Sequence, residues 1–276
     1  MRKPLALANW KMEMTVARSL AFVRDFQSAI GDLAQEVDII LCPPYTALYP
    51  MAQALKDSPI TLGGQNVSTA PGGAYTGEIS AALLADVGCR WVMLGHWEVR
   101  RHFGDTDETV NLKLHAAQRA GLSPILLVGE ARGEQDRFRE ALAAQLQRVL
   151  EGCDARQIEE MVVLYEPEWT INVEEPASPE HVGAGCGFIR EWLAGHYGAS
   201  AAQAVRIIYG GSVTPAHARD LLGAPDVDGL GAGRKGRQVE AFAEIVRLIA
   251  AAKGLVTASH HRSCSDTTPV SARSRK

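Results

Sequence analysis

The sequence predicts a single α/β domain in which eight parallel strands alternate with helices and close into a (β/α)₈ barrel. Short continuous apolar runs recur along the chain, and segments with helical spacing separate most of them. Apolar runs of about four to eight residues are typical of strands buried on both faces, and alternation with helices indicates parallel β/α units. Polar residues or glycines follow most of the runs. This favours a closed barrel over an open sheet, because a barrel builds its functional face from the loops after all of its strands.

The predicted elements follow one another at steady intervals. The predicted strands are Leu5–Ala8, Val37–Leu41, Ile60–Leu62, Trp91–Leu94, Pro124–Val128, Met161–Tyr165, Val205–Tyr209 and Val227–Leu230. The predicted helices include Ala17–Ile30, Ala47–Leu55, Glu108–Ala120, Glu134–Leu150, Pro179–Leu193 and Pro215–Leu222. The residues that come directly after strands are, in order, Asn9 and Lys11, Gln65 and Asn66, His96, Glu130, Glu166, Gly210-Gly211-Ser212 and Gly233-Arg234.

Composition and charge limit the class of protein. A chain of 276 residues, 46% of them hydrophobic, can bury one large core, so residues 1–256 are predicted to form one domain. The polar stretch 257–276 is predicted to be a disordered tail. A formal net charge of −4, with both signs mixed along the chain, argues against binding to nucleic acid or an anionic membrane. No stretch reaches the roughly 18 apolar residues that a membrane span needs.

Cysteine usage and the N-terminus give an expectation about the compartment. The five cysteines are scattered without a Cys-x-x-Cys pair, so neither a disulfide framework nor a zinc site is predicted. The apolar run near the N-terminus is too short for a signal peptide, and a reducing cytoplasm fits best. His260, His261 and Cys264 could hold a metal, but in a polar tail we interpret them as incidental. No metal and no cofactor are expected.

One glycine motif has to be weighed against the barrel interpretation. Gly231, Gly233 and Gly236 match Gly-x-Gly-x-x-Gly and follow a predicted strand, as a dinucleotide-binding fingerprint does. The motif lies in the last β/α unit, and no later strand is predicted that would complete a nucleotide-binding fold. We therefore interpret these glycines as loop residues of a barrel.

Five segments resemble triosephosphate isomerases in their order and spacing. They are Ala8–Met12, Gly77–Ser80, Leu94–His96, Tyr165–Pro167 and Tyr209–Val213. The resemblance extends over nearly all of the predicted domain. It implies a TIM barrel and an isomerase of glycolysis and gluconeogenesis that interconverts glyceraldehyde 3-phosphate and dihydroxyacetone phosphate through an enediolate.

Such a proton transfer needs a base, an electrophile and positive charge near the enediolate. By the resemblance, Glu166 is the base and His96 is the neutral imidazole that polarises the carbonyl. Lys11 supplies the positive charge, with Glu98 as its ion-pair partner, and Asn9 offers an amide hydrogen bond.

The substrate phosphate is expected to lie against backbone N–H groups after the seventh and eighth strands, where barrels of this kind bind phosphate. Residues 167–179 are expected to form a lid that closes over the substrate and excludes water. The predicted phosphate-binding residues are Asn172, Gly210, Gly211, Ser212, Gly233 and Arg234.

The sequence departs from the family pattern at three places. Trp97 stands where the family has Ser, so either Glu166 loses a polar partner in the open state or Trp97 points elsewhere. The lid tip reads Asn172-Val173-Glu174-Glu175 in place of Gly-Thr-Gly-Lys, and Arg234 replaces a glycine. We expect the new acids to approach the new cations, Arg234 or Lys235, when phosphate is bound.

These departures leave other functions open. One alternative is an isomerase of a related four-carbon ketose phosphate, and another is a relative that binds a sugar phosphate without turnover. The resemblance also implies a homodimer in which the loop Asn66–Glu78 inserts into a neighbouring copy, with Thr76 in the reaching position.

Overall fold

Eight parallel strands close into one barrel in chain order, as predicted, and the last strand pairs with the first. The structure is a computed structural model and describes residues 2–255. The predicted tail 257–276, with His260, His261 and Cys264, lies outside the described residues. The strands are β1 Leu5–Asn9, β2 Asp38–Cys42, β3 Thr61–Gly64, β4 Trp91–Leu94, β5 Ser123–Val128, β6 Val162–Tyr165, β7 Arg206–Gly210 and β8 Gly229–Ala232.

Helices follow the strands and surround the barrel. They are α1 Val16–Ile30, α2 Leu33–Glu36, α3 Tyr45–Ala54, α4 Ala81–Asp86, α5 Trp97–Phe103, α6 Asp107–Arg119, α7 Phe138–Val149, α8 Ala155–Glu159, α9 Pro179–Tyr197, α10 Ala199–Ala204, α11 Pro215–Leu221 and α12 Val239–Ala252. The described residues also form 3₁₀ turns at Gln135–Arg137, Glu168–Thr170 and Lys235–Arg237. Among the described residues, no helix is both long and apolar enough to cross a membrane.

The two faces of every strand except β3 and β8 belong to two separate buried clusters. Leu5 and Leu7 of β1 join the cluster inside the barrel, whereas Ala6 and Ala8 pack with the surrounding helices. Because side chains alternate along a strand, the inward row of β1 continues to Asn9. In β6 the inward row likewise continues past Leu164 to Glu166. The apolar interior therefore ends in polar groups at the C-terminal mouth of the barrel.

Five short helices, α2, α4, α5, α8 and α10, are not among the helices predicted from the sequence. They run for four to seven residues, too few for an apolar period of 3.6 to become visible. Helix α5 buries none of its residues and so carries no apolar stripe at all. Strand β8 begins at Gly229 and not at Val227; Asp228, directly before the strand, accepts side-chain hydrogen bonds from Arg190 and Arg2.

The seam between β8 and β1 depends on the absence of a side chain at Gly229. A Cβ atom there would lie 1.8 Å from the carbonyl oxygen of Leu5, its partner in the strand register. Only glycine lets the two backbones approach this closely.

We expect Gly229→Ala to lower the free energy of unfolding by about 1–3 kcal/mol or more, because the methyl group forces β1 and β8 apart. Urea unfolding followed by circular dichroism measures the change. Gly195→Ala on α9 is the control, since its added methyl meets no atom within 4 Å and is expected to stabilise the helix by about 0.4–1 kcal/mol. An unchanged unfolding midpoint for Gly229→Ala would show that the seam is not closed in this register.

Candidate active site

A cavity of about 720 Å³ lies at the C-terminal mouth of the barrel. It collects every site residue predicted from the sequence except Thr76. The predicted residues that line it are Asn9, Lys11, His96, Glu98, Glu166, Asn172, Gly210, Gly211, Ser212, Gly233 and Arg234. Thr76 is exposed on the loop between β3 and α4 and does not reach this cavity within its own chain.

Glu166 and His96 face each other across the cavity. Glu166 Oε2 lies 3.4 Å from His96 Nε2, and both side chains are largely buried. Among the described residues, this carboxylate oxygen has no hydrogen-bond partner. A buried, unpartnered carboxylate oxygen is costly unless it is used, so this geometry fits a proton acceptor.

The ring of His96 is fixed by the start of α5, because His96 is the residue that caps this helix. Its Nδ1 accepts the backbone N–H of Glu98 at 3.1 Å. An imidazole that accepts at Nδ1 carries its proton on Nε2, which therefore donates into the cavity.

Lys11 is held in a strained conformation by three contacts. Its backbone has φ 51°, a region that few residues other than glycine occupy. The N–H of Lys11 donates to Asn9 Oδ1 at 3.0 Å, and its carbonyl accepts from Gln65 at 2.9 Å. The ammonium group reaches Glu98 Oε1 at 2.5 Å. Burial acts to raise the pKa of Glu98, but effects that include the hydrogen bond and the charge of Lys11 outweigh burial and lower that pKa.

The backbone around the cavity offers a cradle for an anion. Within residues 2–255, the N–H groups of Asn172, Ser212 and Gly233 are paired with no backbone carbonyl. Asn172 and Ser212 have φ 59° and 47°, and Gly211 has φ 125°. The three N–H groups come from three loops that line the cavity, and adjacent residues with conformations such as those of Gly211 and Ser212 can form a concave anion-binding site. This end of the cavity therefore suits a phosphate.

The predicted lid is docked on the loops after β7 and β8. Ser212 Oγ donates to the carbonyl of Val173 at 2.6 Å, and Arg234 Nη2 donates to the same oxygen at 2.5 Å. At the far end of the lid, the N–H of Ala177 donates to Tyr209 Oη at 2.9 Å. The lid is thus tied down at its tip and at its second hinge.

A buried carboxylate anchors the first hinge of the lid. Glu130 is fully buried and accepts hydrogen bonds from Trp169 Nε1 at 2.8 Å and Tyr165 Oη at 2.9 Å, and it contacts His181 Nε2 at 2.9 Å. Burial raises the pKa of Glu130, but the hydrogen bonds from His181, Trp169, its own backbone and Tyr165 more than compensate and hold that pKa below its usual value.

Two of the departures from the family pattern have a structural account. Trp97 points away from the cavity and lies under the guanidinium of Arg100, 5.8 Å from the ring centroid, so Glu166 receives no partner from this position. The altered loops are joined through the lid carbonyl that Arg234 binds. Of the two lid acids, Glu174 lines the cavity and Glu175 lies 3.2 Å from His217 on α11.

Sequence reasoning missed Glu130 and Tyr209 as lid anchors. Glu130 directly follows a strand, which was the available signal, but its role depends on side chains from two other elements. Tyr209 lies within an apolar run and is fully buried, so it resembles a core residue until its hydroxyl is seen to accept from Ala177.

The fold and this cavity define a (β/α)₈-barrel enzyme whose ionisable side chains meet at the C-terminal mouth of the barrel. Comparison with known proteins narrows the class. The family model for triosephosphate isomerase matches residues 4–249. The triosephosphate isomerase of Carboxydothermus hydrogenoformans is 42% identical over 249 residues, covering 90% of this chain and 99% of the relative. That of Alkalilimnicola ehrlichii is 43% identical over 250 residues, covering 89% and 98%.

A solved structure gives the same result. The crystal structure of triosephosphate isomerase from Bartonella henselae superimposes with a TM-score of 0.80 at 32% identity, covering 89% of this chain and 98% of that one. This chain belongs to the triosephosphate isomerase family.

We expect Glu130→Gln to destabilise the protein by about 1–3 kcal/mol at pH 7, because the amide cannot accept from all of its donors. The folded-state pKa of Glu130 lies below the ordinary value of 4.5, so its contribution is complete above that pH and is lost as pH falls through the lower folded value. Urea unfolding of both proteins at neutral pH and at stepwise lower pH measures this difference. If the difference in unfolding free energy between the two proteins stayed constant as the pH fell below the folded-state pKa, Glu130 would not be ionised and hydrogen-bonded in the folded protein.

Proposed function

We propose that this chain interconverts glyceraldehyde 3-phosphate and dihydroxyacetone phosphate by moving a proton between adjacent carbons through an enediolate. The observation that carries this proposal is the unpartnered Oε2 of Glu166, 3.4 Å from His96 Nε2 in a cavity that also holds Lys11. A base, a hydrogen-bond donor and a cation are the groups that this reaction requires.

In the proposed mechanism, Glu166 removes a proton from the carbon next to the carbonyl and returns it to the neighbouring carbon. The Nε2–H of His96 donates to the substrate oxygens as negative charge develops on them. Lys11 stabilises that charge, and its pairing with Glu98 keeps the ammonium at the edge of the cavity. The substrate phosphate binds the N–H groups of residues 172, 212 and 233.

The lid supplies the remaining requirement, which is exclusion of water. Its contacts with Ser212, Arg234 and Tyr209 cover the phosphate end of the cavity. With water excluded, hydrogen bonds to the enediolate become stronger and the intermediate is protected from side reactions. The presence of the base and the imidazole in this geometry argues for turnover over simple binding.

We expect Glu166→Gln to reduce isomerisation by about 10²–10⁴-fold, because a positioned general base contributes that much to the rate. Coupled assays with triose phosphates, run beside a four-carbon ketose phosphate, measure activity and substrate choice. Glu166→Asp is the matched variant, because it retains the carboxylate but shortens the side chain by one methylene. Its isomerisation rate is expected to lie between those of the wild type and Glu166→Gln. A Glu166→Gln protein that keeps more than about a tenth of the wild-type rate would remove Glu166 from this role.

We also propose that the protein works as a homodimer in which the loop Asn66–Glu78 reaches a second copy. Tyr75 on this loop is 58% exposed, and the nearby Tyr45, which donates to the carbonyl of Asn66 at 2.8 Å, is 41% exposed. Large exposed side chains grouped in this way are typical of a protein interface. The exposed Thr76 then lies where it can reach the partner's cavity.

We expect light scattering to show a dimer at micromolar concentration, and Thr76→Asp to weaken it because a charge is placed in a closely packed interface. Activity is expected to fall together with the dimer fraction. Ser200→Asp on α10, another exposed small polar residue, is the control. A fully active monomer would contradict the dimer.

A further inference from the structure

The first hinge of the lid contains a buried acid that the mechanism above does not use. Glu168 is the second residue after Glu166 and opens the 3₁₀ turn Glu168–Thr170. Its carboxylate is only 6% exposed and does not line the cavity. A buried carboxylate is tolerated when it is paired and hydrogen-bonded, so its partners indicate what it does.

The side chain of Glu168 connects three parts of the barrel mouth. Its Oε1 forms an ion pair with Arg101 Nε on α5. Its Oε2 accepts the backbone N–H of Arg132, in the loop after β5, at 2.9 Å. Its own N–H donates to the carbonyl of Glu130 at 3.0 Å. The hinge is therefore bound to a helix and to a loop that both lie outside the lid.

Helix α5 depends on such polar contacts because it buries none of its seven residues. Arg100 donates to the carbonyl of Gly95 at 2.9 Å and to Asp107 at 2.8 Å, and Glu98 pairs with Lys11. Arg101 adds a further ion pair, with Glu168. His96 caps the start of the same helix. The backbone N–H of Glu98, in the first turn of that helix, donates to Nδ1 of His96.

We propose that Glu168 and Arg101 form a positioning pair that holds the first hinge of the lid against the helix that orients His96. Lid docking and imidazole placement are then coupled through one ion pair. This inference rests on the proposed isomerase activity, to which it adds two positioning residues that do not touch the substrate. Arg101 is the better residue to change, because its side chain is 58% exposed and its removal leaves the core packing intact.

A lid that docks poorly leaves a chemical signature. When water reaches the enediolate, its oxyanion can re-form a carbonyl, the carbon–carbon double bond shifts toward the third carbon, and the bond between that carbon and the phosphate oxygen breaks. The electron pair of this bond leaves with inorganic phosphate, and the remaining enol tautomerises to 2-oxopropanal. The ratio of phosphate released to isomer formed therefore reports on lid docking. A loss of folded enzyme lowers both products equally and leaves this ratio unchanged.

The test compares wild type with Arg101→Gln and Arg101→Lys. The control is Arg156→Gln, which breaks an exposed ion pair between Arg156 on α8 and Glu160, the residue that follows this helix. We expect Arg101→Gln to raise the ratio of phosphate to isomer about fivefold or more and to lower kcat by a similar factor, as hinge substitutions commonly do. Arg101→Lys is expected to restore most of the wild-type ratio, and Arg156→Gln to leave it unchanged.

A double-mutant cycle with Glu168→Gln tests the pairing itself. If the two residues act as a pair, the double variant is no worse than the more affected single variant. A ratio that stays at the wild-type value in Arg101→Gln, with isomerisation intact, overturns the positioning pair and leaves the proposed function standing. A wild type that forms no isomer overturns both.

Discussion

Closure of the barrel between β1 and β8 is the constraint on which the site depends. Asn9 ends the first strand, Lys11 follows it and Gly233 follows the last strand, so the ammonium of Lys11 and the N–H of Gly233 line one cavity only when these two strands pair. A side-chain hydrogen bond also crosses this seam: Nε1 of the buried Trp10 donates to the carbonyl of Gly236 at 2.8 Å. The geometry of the mouth is thus set by long-range pairing and not by any local motif.

The charges at the mouth are arranged so that an anion finds cations that are only partly neutralised. Lys11 is paired with Glu98, and Arg237 lies 3.2 Å from Glu13. Arg234 differs from both, because within the described part of the chain its partner is a neutral lid carbonyl and no carboxylate neutralises its charge. In the proposed function, that charge is available to the substrate phosphate. If the proposed function holds, this guanidinium favours both the docked lid and the substrate phosphate, which offsets the repulsion between that phosphate and Glu174.

Much of the fold was predictable because buried parallel strands appear in the sequence as continuous apolar runs. The inward alternation of Leu5, Leu7 and Asn9 also places a polar group at the mouth by counting alone. The burial of Glu168, in contrast, could not be predicted from the sequence. Nothing next to it in the sequence distinguishes a buried hinge acid from a solvated one, and its partner Arg101 lies on a helix without an apolar stripe. The docking of the lid likewise depends on contacts between loops far apart in the chain.

The left-handed residue at the lid tip has a thermodynamic consequence. Asn172 adopts φ 59°, a conformation that asparagine tolerates better than most residues other than glycine. A glycine at that point would sample many more backbone states whenever the lid is undocked, and all of them would be lost on docking. With asparagine the undocked lid has less conformational entropy to lose. Since the entropy change sets how an equilibrium responds to temperature, docking of this lid weakens less on warming than docking of a glycine-tipped lid held by the same contacts.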